Sequence, residues 1–373
     1  MKYMGSKRWM LQNGLGELLA HSVEGTKRFI DLFAGSGAVA IHVARNFPLK
    51  VLAVDLQRYS AILTGAVILR DAELQWESVW TSWYGRTARR AYRHRPPRLG
   101  RITLDAVRKA REWCEERAAL PLTQAYGGHY FAPIQTIWLD GLRGSIPEEE
   151  PVRTVALAAL LHAASKCAAS PGHTAQPLQP SQRAEPFIRQ AWNKDIVALT
   201  RSSFASLSEQ FALKRGQVQT ADANEVALDI RQSDLVFIDP PYSGVHYSRF
   251  YHVLESIASG EPGPVSGVGR YPDRTLRPRS RYSVVGESRA ALQDLLDKIA
   301  ARHSRAIVTF PEGECSNGLS GDIVRDLAFE HFRVFERAVQ SRFSTLGGTD
   351  KGAGTGRAAR HPVRELILSL TSK

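Results

Sequence analysis

Three hydrophobic patterns divide this chain, and each predicts a different kind of element. Short apolar runs bounded by turn residues recur at Phe29–Phe33, Val51–Val54, Val218–Ala221, Leu235–Ile238 and Ala306–Phe310. Runs of that length read as strands, and the one that ends at Ile238 as a buried strand. Helical spacing fills the intervals, through Trp9, Leu11, Leu15, Leu18 and Leu19, then Val39, Ala40, Val43 and Ala44. It returns at Ser60–Leu69, Tyr251–Ala258, Arg289–His303 and Ser320–Phe332. Strand and helix in alternation predict an α/β fold with a parallel sheet.

The third pattern occupies 76–190, which is helical, loop-broken and without strand signals. It contains helices around Asp105–Ala119 and Val152–Lys166 and a Pro/Gln-rich loop from Pro171 to Pro180. The α/β alternation resumes afterwards, so the segment reads as an insertion. The expected organisation is a sheet domain of residues 1–75 and 191–373 around a mainly helical inserted region, 76–190. Near the end, Glu365–Leu370 predicts an edge strand, and the Gly-rich stretch Gly347–Gly356 a mobile loop.

Composition adds a partner class. The 373 residues carry a formal net charge of +12 and are 43% hydrophobic, which allows a sizeable core and favours a polyanion. Arginines cluster in two places. Arg86, Arg89, Arg90, Arg93, Arg95, Arg98 and Arg101 interleave with Tyr84, Tyr92 and His94 in the insertion. Arg270, Arg274, Arg277, Arg279 and Arg281 lie in a Pro- and Gly-rich loop, Gly260–Tyr282. A charge run is usually a solvated face. The interleaved aromatic residues make phosphate contact with nucleic acid the better reading, with Arg86, Arg89, Arg90, Arg93, Arg95, Arg277 and Arg279 as candidates. Three scattered cysteines, Cys114, Cys167 and Cys315, give neither a disulfide framework nor a metal spacing. With no apolar run near the ~20 residues of a membrane span, a cytoplasmic, monomeric protein is expected.

The strand ends hold the chemistry. Ala34-Gly35-Ser36-Gly37 links a strand to a helix, where glycines permit a sharp turn and close ligand approach. Asp55 closes the next strand about 20 residues on, a position suited to ribose hydroxyls. This spacing also fits a nicotinamide dinucleotide site. Asp31, just before the glycines, can accept from the amino group of a bound amino acid and favours S-adenosyl-L-methionine instead. Asp222, after the third strand, is a candidate for the cofactor's adenine amino group, or an ordinary turn residue.

Asp239-Pro240-Pro241-Tyr242 follows the run Asp234–Ile238 and carries the strongest signal. Two prolines cannot continue a ladder. They leave a carboxylate, a rigid carbonyl and a ring at the carboxyl edge of the sheet. The exocyclic amine of adenine is a poor nucleophile because its lone pair is delocalised. Asp239 and the Pro240 carbonyl can accept its two hydrogens and aim the lone pair, while Tyr242 stacks on a flipped base.

These motifs, in this order, resemble the Dam-like adenine-specific DNA methyltransferases of the alpha arrangement. The resemblance rests on Lys2-Tyr-Met-Gly-Ser-Lys7, Asp31–Gly37, Asp55, Asp222 and Asp239–Tyr242, with support from Gly128–Phe131, Trp138–Arg143, His246–Glu255 and a drifted Phe310–Asn317. It implies a Rossmann-like S-adenosylmethionine-dependent methyltransferase sheet whose helical insertion reads duplex DNA. It also implies cofactor contacts from Tyr3, Lys7, Asp31, Gly35, Gly37, Asp55, Asp222 and Asp239, and contacts to the target amine from Asp239, Pro240 and Tyr242. The family often has a tryptophan at the position of Tyr3 and an aromatic residue at that of Ala223. An RNA adenine or protein amide methyltransferase, and an inactive DNA-binding subunit of a modification or defence system, are the competing readings. An accompanying restriction endonuclease or defence-system protein and the recognised DNA site are not written in the sequence.

Overall fold

The computed structural model describes residues 7–97, 99–344 and 360–373. Tyr3 and the expected mobile stretch Gly347–Gly356 lie outside the described residues. The chain forms two compact units: the described parts of 4–71, 211–247 and 278–373 make one, and 72–210 with 248–277 make the other.

The first unit is built on a seven-stranded sheet. Its strands are β1 (Arg28–Asp31), β2 (Lys50–Asp55), β3 (Gln217–Thr220), β4 (Asp234–Ile238), β5 (Arg305–Pro311), β6 (Phe332–Ser344) and β7 (Arg360–Ser372). They lie in the order β3-β2-β1-β4-β5-β7-β6. The first five are parallel, while β7 runs antiparallel to both β5 and β6. This is the Rossmann-like methyltransferase sheet. Every residue of β4 is buried, as a central parallel strand between two helical layers requires. The single acid at its start, Asp234, is tied by a two-point ion pair to Arg28, at 2.6 and 3.2 Å.

Glu365–Leu370 is a strand, but not an edge strand. It belongs to β7, which sits between β5 and β6. The edge on this side is β6, for which the sequence offered no strand signal: Arg333, Phe335, Glu336, Arg337 and Ala338 are all exposed. An edge strand with that much solvent contact lacks the apolar run that marks the interior strands.

The second unit is helical around Val152–Cys167, whose residues Val155–Leu161 are all buried. A helix that is apolar on every face belongs in the interior. Helix Ile196–Ser208 packs along it, and His252–Ser259 also touches it. This is why 191–210 and 248–277, which the sequence placed with the sheet, fold with the helical unit. Among the described residues, no helix is long and apolar enough to cross a membrane.

Candidate active site

The strand order reverses between β1 and β4, and ligands of open α/β sheets bind outside the carboxyl ends at such a reversal. Asp31, Asp55 and Asp239 all stand at this edge: Asp31 ends β1, Asp55 ends β2 and Asp239 follows β4. Backbone bonds fix the turn after β1 to both neighbours, Leu32 N donating to Phe237 O and Ala34 N to Val54 O.

Gly35 and Gly37 take φ of +53° and +75° before helix Ala38–Asn46. A Cβ on Gly37 would stand 2.5 Å from Thr64 Oγ1, so both conformation and space demand glycine there. The Gly35 and Gln57 amides donate to the two oxygens of Asp55, at 2.8 and 2.9 Å. Burial raises the Asp55 pKa against these bonds.

Asp31 is 1% exposed. Burial carries its pKa to about 8; the Phe33 amide works the other way, and nearby Asp239 and Asp55 push it further up. Among the described residues, no cation pairs with this carboxyl group. Asp239 has one: Lys7 Nζ lies 3.0 Å from its Oδ1, and Thr309 Oγ1 donates to the same atom at 3.0 Å. Burial still raises Asp239 to about 6, with Lys7 lowering and Glu365 raising it. Lys7 is 4% exposed and also meets Glu365 Oε2 at 2.8 Å. Burial alone would lower the lysine pKa; the two carboxylates outweigh it and raise it.

Of the four carboxyl groups Asp31, Asp55, Asp239 and Glu365, Lys7 pairs with Asp239 and Glu365, and among the described residues Asp31 and Asp55 have no ion pair. Such a cluster suits a ligand bearing positive charge, and S-adenosylmethionine offers both a sulfonium and an ammonium. Buried Gln57 Oε1 and Thr64 Oγ1, beside the glycine turn, have no hydrogen-bond partner among the described residues. The residues present fit that cofactor.

The loop after β4 is anchored by residues the sequence did not single out for a role. Asn317 is fully buried and donates through Nδ2 to the carbonyls of Pro241 and Tyr282, at 2.8 and 3.0 Å. Ser316 Oγ accepts from Gly244 N at 3.0 Å. Tyr242 is 7% exposed and packs edge-on against Tyr247, so its ring is held within the sheet core. Asp222 accepts from Asn224 N at 2.8 Å and thereby caps the short helix Ala223–Val226, the turn role that the sequence left as its alternative.

The candidate arginines are not equivalent. Arg86 donates to Ser145 O and Arg90 to Gly144 O, so both cover carbonyls at the end of helix Pro133–Gly144. Arg277 lies with Arg249 against the Tyr271 ring, its Nε buried without a hydrogen-bond partner. Arg279 pairs with Glu287. Arg89, Arg93 and Arg95 are exposed. Arg89 and Arg93 line a groove of about 990 Å³ together with Arg86 and Arg90.

The model for the D12 class N6 adenine-specific DNA methyltransferases matches residues 3–92 and 190–269. The chain is 24% identical to modification methylase LlaI of Lactococcus lactis subsp. lactis, over 95% of its own length and 53% of the relative's. It is 33% identical to modification methylase StsI of Streptococcus sanguinis over 24% of the chain and 14% of the relative. Identity to the type II methyltransferase M.NlaIII of Neisseria lactamica is 29%, across 69% of each. The chain therefore spans about half of LlaI and a small part of StsI.

Proposed function

We propose that the chain is a D12 class N6 adenine-specific DNA methyltransferase, whose model matches residues 3–92 and 190–269, and that it methylates the exocyclic amino nitrogen of adenine in duplex DNA. The observation that carries this reading is the position of Asp239, a partly exposed carboxylate at the sheet reversal, next to a cationic lysine and the acidic cradle around Asp31. S-Adenosylmethionine, when bound, supplies an electrophilic methyl group. Asp31 would hold its ammonium, Asp55 its ribose hydroxyls, and the glycine turn its close approach.

Asp239 and the Pro240 carbonyl accept the two hydrogens of the target amine and so direct its lone pair. The Asp239 charge offsets the positive charge that develops on nitrogen, and its carboxylate takes the proton shed afterwards. A base inside a duplex is out of reach, so it is flipped out before it meets these groups. Since LlaI, StsI and M.NlaIII are named as modification or type II methyltransferases, we read the chain as the methyltransferase counterpart of a restriction endonuclease.

Labelled-methyl incorporation into DNA, RNA and protein tests the reaction. We expect label on adenine N6 of duplex DNA alone, and label confined to RNA would sink the DNA assignment. Exposed Arg89 and Arg93 are proposed phosphate contacts. Changing both to alanine should reduce the slope of log affinity against log salt by about 2. Fluorescence anisotropy across a salt series measures it, and an unchanged slope would make these arginines a solvated face.

A further inference from the structure

Glu365 is an unusual residue for its place. It enters from β7, in register with Pro311 of β5 and Val339 of β6, at the head of the buried apolar run Leu366–Leu368. Its side chain is only 12% exposed. A nearly buried carboxylate in an interior strand is costly unless paired, and its partner is Lys7, 358 residues away. Lysine has three N–H donors and no acceptor. Two of its contacts here are carboxylates: Glu365 at 2.8 Å and Asp239 at 3.0 Å.

We propose that Glu365 is a positioning residue for methyl transfer: it holds Lys7 by a second contact, so that the ammonium orients Asp239 without saturating it as a hydrogen-bond acceptor. This inference rests on the methyl-transfer reading above. Asp239 must accept from a neutral amine that competes poorly with an ammonium. A lysine devoted wholly to Asp239 would draw its charge away from the amine. A lysine shared with Glu365 fixes the Asp239 rotamer, together with Thr309 Oγ1, and leaves acceptor strength for the substrate. The charged groups facing Asp239 are Lys7, Glu365 and, from β1, Asp31.

Glu365→Gln keeps the shape and an acceptor for Lys7 but removes the charge. Single-turnover methyl transfer to unmethylated genomic DNA should then fall about tenfold on the pH plateau. The Michaelis constant for DNA should stay within about twofold. The acid limb of the profile should move about one unit lower, because Lys7 now acts on Asp239 alone. Glu365→Asp, which restores the charge, should move the limb back. A purely structural ion pair would lower the melting temperature and leave the limb where it was; that result, or an upward shift, overturns the proposal. Carbon-13 titration of the Asp239 carboxyl group in both proteins reads the same shift without turnover. If the wild type itself transfers no methyl group, the methyl-transfer reading fails and this inference with it. An active wild type with an unshifted Glu365→Gln variant defeats this inference alone.

Discussion

Asp239→Ala is expected to lower methyl transfer by at least about a thousandfold while leaving the sheet folded. Removing a single preorganised electrostatic group from a reaction centre typically costs 10²–10³ in rate. Asp239 combines that role with orientation of the amine and with proton acceptance. The variant should fold because burial already opposes the ionised carboxylate, raising it to about 6, so the fold gains little from its charge. Lys7 keeps Glu365 as a partner at 2.8 Å. In the wild type the ionised form is the active one. With cofactor saturating, so that Asp31 is already engaged, the kcat/KM profile for DNA should therefore be flat above about pH 6 and fall below it. Steady-state incorporation by Asp239→Ala and Asp239→Asn, with circular dichroism melting as the folding control, checks the claim. Substantial turnover by a folded Asp239→Ala protein would remove this residue from the chemistry.

Much of this centre could be read from the chain because its elements announce themselves locally. Parallel strands covered on both faces must be apolar throughout, so Phe29–Asp31, Val51–Val54 and Leu235–Ile238 stand out, and the acids that end them stand out further. The glycine turn is equally local, since Gly37 needs both a positive φ and the absence of a Cβ. What the sequence hides are contacts created by topology. Strand β6 exposes most of residues 332–340 and carries no apolar run. With β6 unseen, β7 reads as an edge strand, and nothing suggests that Glu365 reaches Lys7. Asn317 is likewise an unremarkable loop residue until the fold brings its amide to the Pro241 carbonyl. The arginine runs show the converse. Their charge is plain, but only the fold shows that Arg86 and Arg90, the latter exposed like Arg89 and Arg93, are engaged on carbonyls at a helix end.

Asp31→Asn should cut cofactor affinity at pH 8 by about a hundredfold, the loss expected for a charge-assisted hydrogen bond in a buried site. It should also abolish a proton release. With a pKa near 8, Asp31 is mostly protonated at pH 7 when nothing is bound. An ammonium or sulfonium ligand needs the ionised form, so binding at pH 7 must expel close to one proton. Affinity should then rise with pH up to about 8 and level off there. Stability runs in the opposite direction. The folded-state pKa lies above the unfolded value of about 4, so the folded protein binds more protons between these limits. Asp31 therefore contributes less and less stability to the ligand-free wild type as pH rises from about 4 to 8. Asparagine carries no charge to desolvate, so the variant should lose less over the same range and be the more stable of the two at pH 8. Calorimetry with S-adenosylmethionine in two buffers of different ionisation enthalpy counts the protons, and denaturant titrations at several pH values follow the stability. Equal proton release by wild type and variant would place the titrating group elsewhere in the acidic cluster. A ligand-free wild type that loses no more stability than Asp31→Asn between pH 5 and 8 would mean that Asp31 is already ionised in the empty site, and that the cradle needs no cation to complete it.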